Sequence, residues 1–434
     1  MGHIKKHLSA QGLHESVRRV FDRQEYRELK SGSYSWTDCL MSGLAIFGLK
    51  CPSLLKFEGL VNGRSSGVRR NLENLYGVKV VPSDKQLRER LDQLSPEHIR
   101  KPFNKILAHA QRGKLLERYR VLDGYYPISA DGTGQYSSKS VFCNQCCCKE
   151  HRNGEKTYYH QLYAGAIVHP DEKVVIPVAP EPITRQDGNN KNDCERNAAK
   201  RFFTQLRKEH PHLKWLALED GLSSNYPHLS LLDTLNIAYL VGVKPGDHDY
   251  LFDWVKHSQG DVFSQADRQG SLHHFKIVED VPLNDTHGHY RVTVIIYREE
   301  KPNGKVQNFS WITRLTVNQE NAIEVMRVAR SRWKIENETF NTLKNQGYEF
   351  EHNYGHGYQN LCSVFSMLML LAFTIDQIQQ GACQLYQKAR EQLGGALYSL
   401  HETMRSFFSI FIFETWTQFF EVILSPWQGS LAPP

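Results

Sequence analysis

Long hydrophobic runs are nearly missing from this 434-residue sequence. Only the stretches Leu361 to Ile375 and Phe407 to Leu424 are strongly apolar. The first is short for a bilayer and the second carries Glu414, Gln418 and Glu421, so neither reads as a membrane span. An apolar leader is missing as well: MGHIKKHLSAQGLHESVRRVF is polar and charged, which points to a cytoplasmic protein. One-sided charge is lacking too. The 53 Lys and Arg against 47 Asp and Glu give a net charge of +6, which permits a nucleic-acid partner without demanding one. There is no internal repeat and no low-complexity tract.

A chain of this length buries sizeable cores without disulfide staples. Its nine cysteines, several of them crowded together, therefore argue for reduced thiols or metal rather than a disulfide framework.

Residues 1–120 are mostly helical in pattern. TDCLMSGLAIFGL reads as an apolar helix, and PSDKQLRERLDQL as a helix whose start is signalled by Pro82, Ser83 and Asp84. Bases gather from Arg64 to Arg120, including Arg69, Arg70, Lys85 and Arg88, with few acids between them. Such a stretch is either a solvated helical surface or a phosphate-facing one, a candidate DNA-binding module.

The pattern changes near Gly124. In residues 121–245, YPISADGTGQY, TYYHQLYAGAIVH and KVVIPVAPEPI read as successive strands, opening an antiparallel sheet. A helix over NDCERNAAKRFFTQLRKE, a strand LKWLALED, a further helix and the strand NIAYLVGV follow, in the order β-β-β-α-β-α-β. In residues 246–318 the helical period disappears, and HHFKIV, YRVTVIIYR and NFSWITRL alternate as strands of a β-rich insertion. A helical segment occupies 319–350, and a helical, aromatic-rich region 351–434. With an acidic residue on that later helix, the order is the α/β ribonuclease H-like one: a mixed sheet interrupted by the insertion and flanked by helical N- and C-terminal regions.

Two acidic residues stand at expected strand ends, Asp131 in ISADGTG and Asp220 in LALEDG. The first and fourth strands of such a sheet are central neighbours. Two carboxylates side by side repel unless a cation lies between them, and hard oxygen ligands suit Mg²⁺ or Mn²⁺. Each residue alone is weak evidence, because Asp-Gly is a common turn signal.

A third carboxylate must come from RSRWKIENETFNTLK, where Glu336 and Glu338 stand one residue apart. At about 100° per residue, Glu336 falls on the apolar stripe with Val325, Met326, Trp333, Phe340 and Leu343, whereas Glu338 falls with Lys334, Asn341 and Asn345 on the solvated face. A carboxylate on a buried stripe needs a partner, a metal or a task. Arg332, one turn earlier, offers a salt bridge; Asp131 and Asp220 offer a shared two-metal site. Two ions about 3.5 to 4 Å apart activate an attacking oxygen and stabilise the leaving one in phosphodiester chemistry.

FCNQCCCKEH places Cys143, Cys146, Cys148 and His151 close together, with a Cys-x-x-Cys spacing that fits a zinc knuckle and with His160 as a substitute ligand. Reduced thiols are the other reading. His352, Tyr354 and His356, among the glycines of EHNYGHG, read as a structural or DNA-backbone loop.

SADGTGQY, LALEDGLSSN and above all RSRWKIENETFNTLK with GYEFEHNYGHG resemble the DDE transposases of bacterial insertion sequences, in the subclass with a Tyr-Arg-Glu-Lys signature and a β insertion. The resemblance spans most of the chain. It implies a catalytic triad of Asp131, Asp220 and Glu336 that binds Mg²⁺ or Mn²⁺, with Arg332 on DNA phosphate and Trp311 of the insertion as the residue that holds a flipped base. Ala329 stands where the signature has Tyr, and Leu343 where it has Lys, with Lys344 beside it as a phosphate contact. The implied enzyme cleaves the terminal inverted repeats of a mobile element, transfers the 3′ ends to target DNA, works as a dimer on DNA and resides at the bacterial nucleoid. The alternatives are a metal-dependent nuclease that does not join strands and an inactive, transposase-derived DNA-binding protein.

Overall fold

Strand β1 (Tyr126–Ser138) begins where the helical period of the N-terminal region ends. In the computed structural model, which describes residues 6–26, 34–63, 67–188, 191–426 and 430–431, it is the axis of an 11-stranded mixed sheet. Arg64, where the basic stretch starts, lies outside the described residues.

The other strands are β2 (Cys147–Glu150), β3 (Lys156–Ile167), β4 (Ile176–Pro177), β5 (Glu181–Ile183), β6 (Trp215–Glu219), β7 (Ala238–Gly242), β8 (Asp261–Ala266), β9 (Leu272–Pro282), β10 (Arg291–Glu300) and β11 (Val306–Thr313). Their order is β2-β3-β1-β6-β7-β11-β10-β9-β8, with β4 and β5 also paired to β3. Strand β1 is antiparallel to β3, from Ile128↔Ile167 to Ser138↔Tyr158. It is parallel to β6, from Tyr126↔Trp215 to Ser129↔Leu218. The antiparallel start and the adjacency of β1 to β6, the strand of LALED, both follow the expectation.

Three expectations change. Asp131 does not end β1, because the strand runs seven residues further along the hairpin with β3. The stretch after Lys244 is not free of helix: Asp249–His257 is helical and buries Leu251 and Val255. The strands of the insertion extend the sheet rather than interrupt it, since Trp311 and Ile312 of β11 pair with Gly242 and Val241 of β7.

Side chains alternate across β1, so helices on opposite faces meet different residues. The helix Lys191–Glu209 covers one face, where Phe202 packs on β3 at Gly165. A Cβ at Gly165 would lie 2.4 Å from Phe202 Cζ, so only glycine admits the ring. On the other face, Ser129 Oγ donates to the Arg332 carbonyl at 2.8 Å and holds the Glu336 segment against the sheet.

The helical regions at the two ends pack on each other. Helix Trp36–Gly48, all but its last residue buried, lies against Leu361–Ala382. Buried Lys50 pairs with Asp376, which also accepts from Tyr348 Oη at 2.5 Å. Ser83 caps Asp84–Asp92, as its sequence predicts. The segment starting at Leu361 forms a 22-residue helix, longer than its most apolar part suggests. It is long and apolar enough to cross a membrane, yet its apolar window is wholly buried inside the protein, which makes it a core helix.

Candidate functional site

The parallel pairing of β1 and β6 stops at Ser129↔Leu218. Two residues further along the chain stand Asp131, still within β1, and Asp220, just after β6, so the end of this pairing brings Asp220 close enough for its charge to act on Asp131. Asp131 Oδ1 accepts from the Gly132 N–H at 2.8 Å. Asp220 is exposed and caps a single turn, its Oδ1 accepting from the Leu222 N–H at 3.0 Å.

Glu336 arrives from the facing helix. Arg332 links it to the sheet: Nη2 donates to Glu336 Oε1 at 2.9 Å, and Nη1 lies 3.6 Å from Asp131 Oδ2. Burial, then the neighbouring charge of Asp220, pushes the Asp131 carboxyl up to about 6, against the pull of Arg332 and the Gly132 N–H; Glu336 adds a smaller push upward. Of the three carboxylates singled out in the sequence, Asp131 thus feels the charge of both others, and Arg332 lies between it and Glu336.

The backbone that carries Glu336 is not one α-helix. After Ala322–Arg330 come a tight turn at Ser331–Trp333, a widened π turn at Ile335–Phe340 and a last α turn at Asn341–Asn345. Each change resets the 100° phase. Ile335 therefore takes the buried position, Trp333 is half exposed, and Glu336 is partly exposed rather than sunk in the apolar stripe. Glu338 is partly buried and sits by Lys334, whose ammonium group feels its charge.

Glu219, beside Asp220, was not singled out by sequence. It points to the opposite face, is fully buried, and accepts from Tyr163 Oη at 2.6 Å, His228 Nε2 at 2.7 Å and Ser223 Oγ at 2.8 Å. Burial works against its charge, yet His228 and the donated hydrogen bonds hold its carboxyl below the usual range. Its role is to fix the turn that presents Asp220. Strand alternation carries the signal that could have found it.

The remaining candidates scatter. Trp311 is buried, stacked on Phe309 with ring centroids 5.6 Å apart, so it is a core residue. The exposed tryptophan next to the carboxylates is Trp333, whose ring lies 5.3 Å from the Arg332 guanidinium. Lys344 pairs with Glu351 at 2.6 Å beside a groove lined by Gln135, Tyr136, Lys149 and Tyr159. Ala329 and Leu343, at the signature's Tyr and Lys positions, face the core. On the N-terminal helices, Arg69 donates to Asn62, Arg70 pairs with Glu414, Lys85 with Glu89 and Arg88 with Asp84. Among the described residues none of these four forms an ion pair with the carboxylate group.

The cysteine run also departs from its expected set. Cys148 faces Tyr158 across the β2–β3 ladder, and His151 Nε2 is 2.9 Å from Thr157 Oγ1. Cys143 and Cys146 instead converge with His160 of β3 and with His356, the four ligand atoms lying within 4.8 Å of one another. The set can hold a metal ion. Proximity in sequence favoured Cys148 and His151, but strand pairing turns both away, and the EHNYGHG loop delivers the histidine that no local spacing reveals.

Neither a family model nor a curated protein sequence matches this chain.

Proposed function

We propose that the protein is a DNA strand-transfer enzyme of the DDE transposase class with a ribonuclease H-like core, using Asp131, Asp220 and Glu336. The observation that carries the reading is the meeting of these three carboxylates at the end of the β1–β6 pairing. A strand order of β3-β1-β6-β7, antiparallel on one side of β1 and parallel on the other, supports the core assignment.

The donor set fits hard divalent cations. It offers carboxylate oxygens, it leaves Asp131 burdened by its neighbours' charge, and among the described residues Arg332 is the counter-charge that pairs with it. Bound Mg²⁺ or Mn²⁺ would activate the attacking oxygen and stabilise the leaving one. Asp131 and Asp220 would hold the ions from the sheet, with Glu336 closing the site from the helix. Arg332, released from the carboxylates, is then free to contact a phosphate. Cleavage and joining exchange one phosphodiester for another, so no nucleotide hydrolysis is required. DNA ends held by the basic N-terminal helices and paired in a dimer complete the reading, which places the protein at the bacterial nucleoid.

The test incubates purified protein with Mg²⁺ and DNA carrying the ends that flank its gene, comparing wild type with Asp131→Ala, Asp220→Ala and Glu336→Gln. Each change should abolish cleavage and joining. Joining that survives any of them overturns the assignment. Cleavage without joining by the wild type identifies a nuclease, and binding with neither identifies a DNA-binding protein.

A further inference from the structure

We infer that Cys143, Cys146, His160 and His356 bind one zinc ion that ties the loop after β1, strand β3 and the segment behind the Glu336 helix into one unit. The inference stands independently of the reading of Asp131.

Five of the six separations lie close to the edges of a zinc tetrahedron, and the sixth, from Cys143 Sγ to His356 Nε2, is within 4.8 Å. With Zn–S of about 2.3 Å and Zn–N of about 2.05 Å, ideal edges are about 3.8 Å between sulfurs, about 3.6 Å from sulfur to nitrogen and about 3.3 Å between nitrogens. The Cys143 and Cys146 sulfurs are 3.9 Å apart. His160 Nε2 lies 3.4 Å from Cys143 Sγ and 3.3 Å from Cys146 Sγ. His356 Nε2 lies 3.2 Å from Cys146 Sγ and 3.2 Å from His160 Nε2.

Hydrogen bonding alone does not explain this convergence. His356 Nδ1 lies 2.9 Å from the Gly357 carbonyl, which can only accept, so in the neutral ring Nε2 carries the lone pair that faces the other three atoms. Cys146, His160 and His356 are all buried. Four soft or borderline donors turned inward around one point leave room for a cation. Two sulfurs with two imidazoles in tetrahedral array select zinc over the oxygen-seeking ions that suit Asp131 and Asp220. With four protein ligands and Tyr136 packed 4.9 Å from His356, no position is left open for a reacting group, so the site is structural.

The cluster also fits the chain path. His160 faces Tyr136 across the β1–β3 ladder, while His356 sits 196 residues later between Gly355 (φ +130°) and Gly357 (φ +70°), whose backbone conformations return the ring toward the sheet. That loop joins the helix carrying Glu336 to the buried helix Leu361–Ala382.

The experiment uses the full chain, purified without a histidine tag, with metal content measured by mass spectrometry and X-ray absorption at the zinc edge. The expected result is about one zinc per chain with two sulfur and two nitrogen neighbours. Cys146→Ser and His356→Gln should lose it, and Cys148→Ser and His151→Gln should keep it. Wild-type protein loaded with Co²⁺ should show thiolate charge-transfer and tetrahedral ligand-field bands, a readout that needs no variant to fold. A wild type that takes up neither zinc nor cobalt stoichiometrically, that holds iron instead, or that loses zinc on changing Cys148 or His151 but not His356, overturns the inference.

Discussion

Arg332 donates to Glu336 at 2.9 Å from one turn earlier, and the same guanidinium reaches toward Asp131 at 3.6 Å. The carboxylate group therefore contains its own counter-charge, and a divalent cation entering it must compete with that charge.

Replacing Arg332 by Gln removes the competitor. The metal-free variant should lose about 1 kcal/mol, as a partly exposed pair does, while Mn²⁺ should raise its melting temperature more than it raises that of the wild type. Thermal unfolding across a Mn²⁺ titration measures both. Equal metal-induced shifts would show that Arg332 does not neutralise the site.

Glu219 beside Asp220 and Glu338 near Glu336 should separate by burial. Glu219→Ala leaves Tyr163, His228 and Ser223 without their shared acceptor, and urea denaturation should show a loss of about 3 kcal/mol. Glu338→Gln, beside Lys334, should change stability by less than about 0.5 kcal/mol and leave DNA cleavage within about twofold. A large effect at Glu338 would mean that the wrong glutamate has been placed in the triad.

Asp92 ties the N-terminal helices to the start of the buried C-terminal helix. Its oxygens accept from the backbone N–H groups of Tyr358, Gln359, Asn360 and Leu361 at 2.9 to 3.0 Å. Asp92→Ala should cost about 2 to 3 kcal/mol. Gly357→Ala should also destabilise, since its φ is +70° and a Cβ would lie 2.3 Å from Asp92 Oδ1. Combined, the two changes should cost less than their sum, because removing the carboxylate relieves the clash. Additive losses in chemical denaturation would contradict this contact.

Burial holds the His14 ring down to about 4 from 6.5, with a smaller push from Lys50, although its Nδ1 lies 2.8 Å from the Ala10 carbonyl. Above pH 6.5 both the folded and unfolded forms are neutral and its contribution is complete. As pH falls from 6.5 to about 4 the unfolded chain takes up a proton that the folded one refuses, so about 3 kcal/mol is lost. His14→Phe keeps a ring against Trp416, whose centroid is 4.5 Å away, and should flatten the slope of stability against pH by about 1 kcal/mol per unit in that window. An unchanged slope would place the titrating group elsewhere. His109, His169, His210 and His401 are lowered in the same direction, again chiefly by burial, and contribute to slope that remains.

Much of the architecture was legible in the chain itself. Short apolar runs bounded by turn residues exposed β1, β3, β6 and β7, because strands buried on both faces carry apolar residues throughout. The order of strands and helices, with an acidic residue beside two strand ends, was enough to nominate Asp131, Asp220 and Glu336. Local periodicity reports which side chains are buried, but it assumes one backbone repeat. The tight turn and π turn around Glu336 break that assumption, so Glu336 was preferred to Glu338 on a phase that the backbone does not keep.

Tertiary structure alone decided the rest. That Trp311 stacks in the core depends on Phe309 and on the pairing of β11 with β7, both set by how the insertion folds back. The partners of Cys143 and Cys146 depend on a loop that returns from 210 residues away in the case of Cys146 and His356. Sequence separation carries no record of such a return. The sequence thus determined which strands exist and which carboxylates they carry or precede; packing of the Glu336 helix on the sheet decided which charges meet, and closure of the EHNYGHG loop decided that His356 joins His160 and the cysteines.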